Sequence, residues 1–174
     1  YLALIDGMLA VDRGDASLGV AQLDLAISVA QSIQNTYILA NAYSSLLLSS
    51  IQTASRDDAR RAMHGYAQLN TEMSNDLWPI ALAQWKWFNG DLQGARQALK
   101  SPRSSYEGIR VLLEQSKFEL IAGEWENASN LSQRCLQKAE QNGCQDISIM
   151  ARLIHATSTG KNNKHVEKIL NHYQ

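Results

Sequence analysis

The sequence has little cysteine, little proline, no net charge of consequence and no long apolar run. Its 174 residues include two cysteines, two prolines, 16 basic and 17 acidic side chains. Two cysteines exclude a disulfide-built fold, and a balanced charge argues against a nucleic-acid partner, which needs a basic face. No stretch of about 18 apolar residues occurs, so we expect no membrane span and no membrane partner. The chain begins at Tyr1 without a signal-peptide pattern, which favours a cytoplasmic fragment of a longer protein.

Five short turn sequences divide the chain into units of similar length. In four of them a Gly precedes a polar or charged residue, and in one an Ala takes its place: the turn residues are Gly14, Ala54, Gly90, Gly123 and Gly160. Gly accepts the left-handed backbone at the end of a helix at low cost. The Asp, Ser or Glu that follows can cap or charge-complement the next helix. The pattern therefore predicts a helix on each side of every turn.

Apolar residues on both sides of these turns recur at helical spacing. Ile109, Leu112, Leu113 and Leu120 lie on one helix face before Gly123. No sustained alternation of apolar and polar residues indicates a strand. We therefore predict an all-α chain of ten helices in five hairpins. The expected helices span about 2–13 and 15–34, 36–53 and 56–74, 76–89 and 91–100, 105–122 and 124–141, and 145–159 and 163–172.

A helix-turn-helix unit of about 35 residues resembles the tetratricopeptide repeat. The resemblance rests on small residues five positions after the turn residue and seven before it: Gly19, Ala59, Ala95 and Ala128, and Gly7, Ala83 and Ser116. It implies one right-handed α-solenoid with units of about 1–35, 36–75, 76–103, 104–143 and 144–174. Such arrays look like those attached to large bacterial signalling proteins, such as ATP-dependent transcription activators or serine/threonine kinases.

Residues that carry chemistry do not form a recognisable catalytic or metal-binding pattern. The four histidines, His64, His155, His165 and His172, are not spaced as metal ligands. Cys135 falls on an apolar helix face, where it reads as a small core residue. No phosphate-binding loop or nucleophile motif occurs. We therefore expect no catalytic residues, no metal, no cofactor and no enzymatic activity.

The resemblance also implies a ligand-binding groove along the concave side, lined by the first helix of each hairpin. The positions that face ligands in this family correspond here to Asn41, Ser44, Gln84, Trp87, Arg110 and Lys117. Amides can hydrogen-bond a peptide backbone, and cations can receive a carboxylate. Trp87 also lies about 200° around the helix from Trp85, so the two cannot share one buried face.

Three hypotheses about function follow. In the first, the chain is an interaction module that binds a protein or peptide in this groove, with Trp87 as the apolar anchor. In the second, it is an effector-sensing domain of a larger signalling protein. In the third, it is a spacer that self-associates through its end helices, Tyr1 to Val11 and the polar C-terminal helix.

Overall fold

The computed structural model describes residues 1–69, 77–100 and 108–160, and this part of the chain is all-helical, without strands. Its helices are α1 (Leu2–Asp12), α2 (Ala16–Ser32), α3 (Thr36–Thr53), α4 (Arg56–Ala67), α5 (Leu77–Phe88), α6 (Leu92–Leu99), α7 (Ile109–Ile121), α8 (Trp125–Gln141) and α9 (Gln145–Ser158). The all-α prediction is therefore confirmed for these residues. The tenth helix, expected over 163–172, lies outside them.

Two helix boundaries differ from the expected ones by more than two residues. α4 ends at Ala67 rather than 74, because the N–H of Leu69 donates to the carbonyl of Tyr66 at 3.0 Å and closes a tight turn. α7 begins at Ile109 rather than 105, with Gly108 in extended backbone before it. Residues 70–76 and 101–107, where the remainder of both expected spans falls, lie outside the described ranges.

The turn residues adopt the backbone conformation that the sequence predicts. Gly14, Gly90, Gly123 and Gly160 have φ values of 82°, 82°, 79° and 63°, and Ala54 has 51°. All five lie in the left-handed region, which ends a helix by redirecting the chain. Four of the predicted turns, at Gly14, Ala54, Gly90 and Gly123, therefore join two helices as expected, and the helix expected after Gly160 lies outside the described residues.

The residue after a turn serves both of the helices it joins. The N–H groups of Asp15, Asn35, Ser55 and Asp91 donate to the carbonyl five residues earlier at 2.9–3.0 Å. Their side chains accept from the N–H three residues later at 2.7–3.2 Å. One residue thus satisfies a free carbonyl of the helix that ends and a free N–H of the helix that begins. This shared bonding explains why the connections are so short.

The chain divides into two compact units, residues 1–103 and residues 104–174. In the first unit α1 packs against α2, α3 packs against α1, α2, α4 and α5, and α5 packs against α6. Because four helices surround α3, 11 of its 18 residues are buried, including Leu46 and Leu47 at its centre. In the second unit α7, α8 and α9 pack against one another around Leu112, Cys135 and Ala151.

Small residues lie where helices of one hairpin come closest. A Cβ added to Gly19 would lie 2.7 Å from Cγ2 of Val11, and one added to Gly7 would lie 2.9 Å from Cγ of Leu23. Both distances are shorter than van der Waals contact, so α1 and α2 can approach this closely only because these positions lack side chains. In the later hairpins Ala59, Ala95 and Ala128 are fully buried.

Candidate functional site

The three tryptophans of α5 divide between its buried and its exposed side. Trp78 stacks on Tyr66 of α4 with ring centroids 3.8 Å apart and an angle of 5° between planes. Trp78 and Trp85 both pack against the core of the first unit. Trp87 is 50% exposed. The expectation that Trp85 and Trp87 cannot share one buried face is therefore confirmed.

Phe88, which the sequence analysis did not single out, extends this exposed side. It is as exposed as Trp87, and its ring lies 5.8 Å from that of Trp85 at an angle of 30°. We call Trp87 and Phe88 the α5 aromatic pair. Both sit on the last turn of a helix whose inner side is fixed by Trp85, so the backbone beneath the pair is held in place. A sequence signal existed: Phe88 directly precedes the Asn89–Gly90 turn, where a helix end is expected to meet solvent.

Polar groups flank the pair on the same unit. Gln84, one turn earlier on α5, is partly exposed. Lys86 and Asp91 form an ion pair of 3.2 Å across the turn between α5 and α6. The backbone N–H of Gly94, followed by the Lys86 ammonium, lowers the pKa of the Asp91 carboxyl, so Asp91 is ionised at neutral pH. The α5 aromatic pair therefore lies beside a cation, Lys86, and an anion, Asp91, whose charges compensate each other.

Two predicted site residues, Asn41 and Ser44, belong to α3, and they differ in their exposure to solvent. Asn41 is partly exposed, and its Nδ2 donates to the carbonyl of Tyr37 at 2.8 Å. Ser44 is fully buried, and its hydroxyl donates to the carbonyl of Ala40 at 2.7 Å. Ser44 has no surface to offer to a ligand in this structure, because α3 is enclosed by its neighbouring helices. The prediction that Ser44 lines a ligand-binding groove therefore disagrees with its burial, and Ser44 is a packing residue.

The two predicted cations belong to α7 in the second unit. Arg110 is exposed. Lys117 is partly exposed, and its Nζ lies 2.7 Å from Oε1 of Glu114, one turn earlier. The charge that was expected to receive a partner's carboxylate thus already faces one from its own helix. The spacing of three residues between Glu114 and Lys117 could have revealed this pair from the sequence.

In the described part of the second unit, His155 and Cys135 both contact the backbone of a neighbouring helix. Nδ1 of His155 lies 3.2 Å from both the carbonyl oxygen and the hydroxyl of Ser129. With Nδ1 protonated the ring donates to the carbonyl, and in the other tautomer it accepts from the hydroxyl, so these distances alone assign no catalytic role to the serine. The Cys135 thiol donates to the carbonyl of Ile109 at 3.4 Å. Burial raises its pKa to about 11, although the nearby Lys117 charge acts in the opposite direction, so the thiol stays protonated.

Within residues 1–69, 77–100 and 108–160, no group of three His, Cys, Asp or Glu side chains is arranged to hold a metal ion. Within the same ranges, every helix is too short or too polar to cross a bilayer.

No family model matches the chain, and neither a curated protein nor a solved structure matches it.

Proposed function

We propose that the chain is a helical repeat array of the tetratricopeptide kind and that it binds a protein or peptide segment on its concave side. The observation that carries the proposal is the α5 aromatic pair: two large aromatic side chains, each half-exposed, on a helix end that the core holds in place. Trp87 is the anchor of this surface.

The repeat part of the proposal is supported by geometry that recurs along the chain. Every expected turn residue within the described ranges has a positive φ. Gly7 and Gly19 lie where α1 meets α2, as the resemblance implies for the two small positions of a hairpin. In the first unit α3 packs against both α1 and α5, so the first helices of successive hairpins contact one another. Such contacts are what a stacked array requires.

The binding part is supported by the energetics of aromatic side chains. Tryptophan is among the residues that dominate binding energy at interfaces, because it loses little conformational entropy and buries a large area. Trp87 is not needed for the core, since Trp78 and Trp85 already fill that side of α5. The partly exposed amides of Asn41 and Gln84, on neighbouring helices of the same unit, suit the backbone of an extended peptide. The expected role of Arg110 and Lys117, to bind a carboxylate of the partner, stays a prediction.

The test begins with peptides selected from a random library on the whole chain. Their affinities are then measured by fluorescence anisotropy for the parent and for two variants, Trp87→Ala and Trp125→Ala. Trp125 is the matched control, because it is 53% exposed and lies in the other compact unit. Trp87→Ala is expected to weaken binding by at least about tenfold, and Trp125→Ala to leave it unchanged.

A library that yields no peptide, or peptides that bind Trp87→Ala as tightly as the parent, would contradict the proposal. Lys117→Glu, a substitution at another predicted groove residue, would be a poor second variant. It would place a new carboxylate beside Glu114 and confuse an effect on binding with one on stability.

A further inference from the structure

The exposed apolar surface at the α5 aromatic pair is compact. Trp87 and Phe88 are the only large apolar side chains in residues 77–100 that are exposed. Gln84 lies one turn before them and Asn89 follows them, so polar residues bound this surface at both ends. Neighbouring residues of a helix point about 100° apart, so the two side chains diverge from the last turn of α5. A ligand therefore meets two adjacent aromatic rings rather than a long apolar groove.

Two common modes of peptide recognition do not fit this surface. A peptide that adds a strand needs an exposed sheet edge, and the described residues contain no strand. A peptide that binds as an amphipathic helix has anchors three, four and seven residues apart, which need an apolar groove about 10 Å long. One turn before the pair lies the polar Gln84, and two turns before it lie Ile80 and Ala81, which are buried. The pair alone is too short for such a helix.

The charges beside the pair favour a ligand that is uncharged at the contact. Acidic and phosphorylated motifs are held by clusters of arginines. The two helices that meet at this turn, α5 and α6, carry one arginine between them, Arg96. The one cation of α5, Lys86, already lies 3.2 Å from a carboxylate oxygen of Asp91. A cationic peptide would have to compete with Lys86 for that carboxylate.

A polyproline II segment has the properties that this surface requires. Proline side chains are uncharged and apolar, and proline-rich segments dock against aromatic side chains. The polyproline II helix has no internal hydrogen bonds, so its carbonyls can accept from a donor beside the rings. Asn89 is exposed and carries such a donor: its Nδ2 bonds the carbonyl of Trp85 at 2.7 Å, and its side chain makes no other hydrogen bond within the described residues. The segment is ordered before it binds, so it loses little conformational entropy at a small contact.

We infer that the partner segment at the α5 aromatic pair is a proline-rich peptide in the polyproline II conformation, with two successive prolines against Trp87 and Phe88. Successive residues of this helix are only about 3.1 Å apart along its axis, which matches a surface two side chains wide. The inference rests on the proposed function, that the chain binds a peptide through Trp87, and adds the class of peptide. It also assigns a contact to Phe88.

The test compares two peptide libraries, each selected on the whole chain. Both have random positions around a fixed central pair, which is Pro-Pro in one library and Ala-Ala in the other. Fluorescence anisotropy gives the affinity of each selected peptide for the parent, Trp87→Ala, Phe88→Ala and the control Trp125→Ala. Pro-Pro peptides are expected to lose at least about tenfold in affinity with Trp87→Ala or Phe88→Ala, and as much when both prolines are replaced by alanine. Trp125→Ala should leave their binding unchanged.

The outcomes separate this inference from the proposed function. Peptides that depend on Trp87 but bind as tightly after both prolines become alanine would overturn the polyproline II inference, and peptide binding at Trp87 would stand. Selected peptides that are helical when bound, as shown by the chemical shifts of isotope-labelled peptide, would have the same consequence. If neither library yields a peptide that depends on Trp87, the proposed function fails and the inference fails with it. The proline replacement is made in the peptide, so its result does not depend on whether a variant protein folds.

Discussion

Gly65 should be intolerant of even one added methyl group, for a reason that lies in α3. A Cβ at this position would lie 2.3 Å from Cε1 and Cζ of the Tyr43 ring. Tyr43 is buried, and its hydroxyl accepts from Nε2 of Gln31, so the ring has little room to move. Overpacking of this kind costs about 1–3 kcal/mol. Replacing Gly by Ala inside a helix returns about 1 kcal/mol. We therefore expect Gly65→Ala to lower the free energy of unfolding by about 1 kcal/mol.

The effect should change sign when the ring is removed. In a Tyr43→Leu background the added methyl group meets no ring, and the gain in helix propensity remains, so Gly65→Ala should stabilise the protein by about 1 kcal/mol. The four proteins of this double-mutant cycle are compared by urea unfolding. Trp125→Phe is included in all of them, so that tryptophan fluorescence reports on the first unit. If Gly65→Ala has the same effect in both backgrounds, the close approach of Gly65 to Tyr43 is refuted.

Two further predictions concern titratable groups. Because burial raises the pKa of Cys135 to about 11, iodoacetamide should label Cys144 in the folded protein at neutral pH and reach Cys135 only after unfolding. Mass spectrometry of the labelled protein distinguishes the two, and equal labelling of both in the folded state would show that Cys135 is accessible. The N–H of Gly94 and the Lys86 ammonium lower the pKa of Asp91, so the ionised carboxylate stabilises the fold at a pH above its ordinary pKa of 3.8. This contribution to stability is lost as the pH falls from 3.8 through the lowered pKa of the folded state. The difference in melting temperature between the parent and Asp91→Asn should therefore shrink in acid, and a difference that is constant with pH would contradict this.

The helices and their turns could be predicted because their determinants are local. The conformation of Gly14 or Gly90 depends on the residue itself, and the cap supplied by Asp15 or Asp91 depends on an N–H three residues away. Each of these features can be predicted from a few consecutive residues. The end of α4 could not be predicted in this way, because its sequence continues a helical pattern past Ala67.

The burial of individual site residues could not be predicted in the same way, because it depends on how many helices meet. Ser44 is polar and sits at a position that the resemblance assigns to the groove, yet four helices enclose α3 and remove it from solvent. The separation of Trp87 from the buried side of Trp85 could be predicted, because the angle between the two on one helix is a local property. Phe88 was missed because its place before the Asn89–Gly90 turn is a weak signal of exposure, which only the packing of α5 decides.

The exposed side of α5 is separable from the core that supports the helix. α3 packs against α5 and carries the fully buried Leu46 and Leu47. Energetic effects at sites without shared partners add, whereas effects within one contact do not. Trp87→Ala should therefore weaken peptide binding without changing the free energy of unfolding. If it lowered both, Trp87 would belong to the core, and the division of α5 into a buried and an exposed side would be wrong.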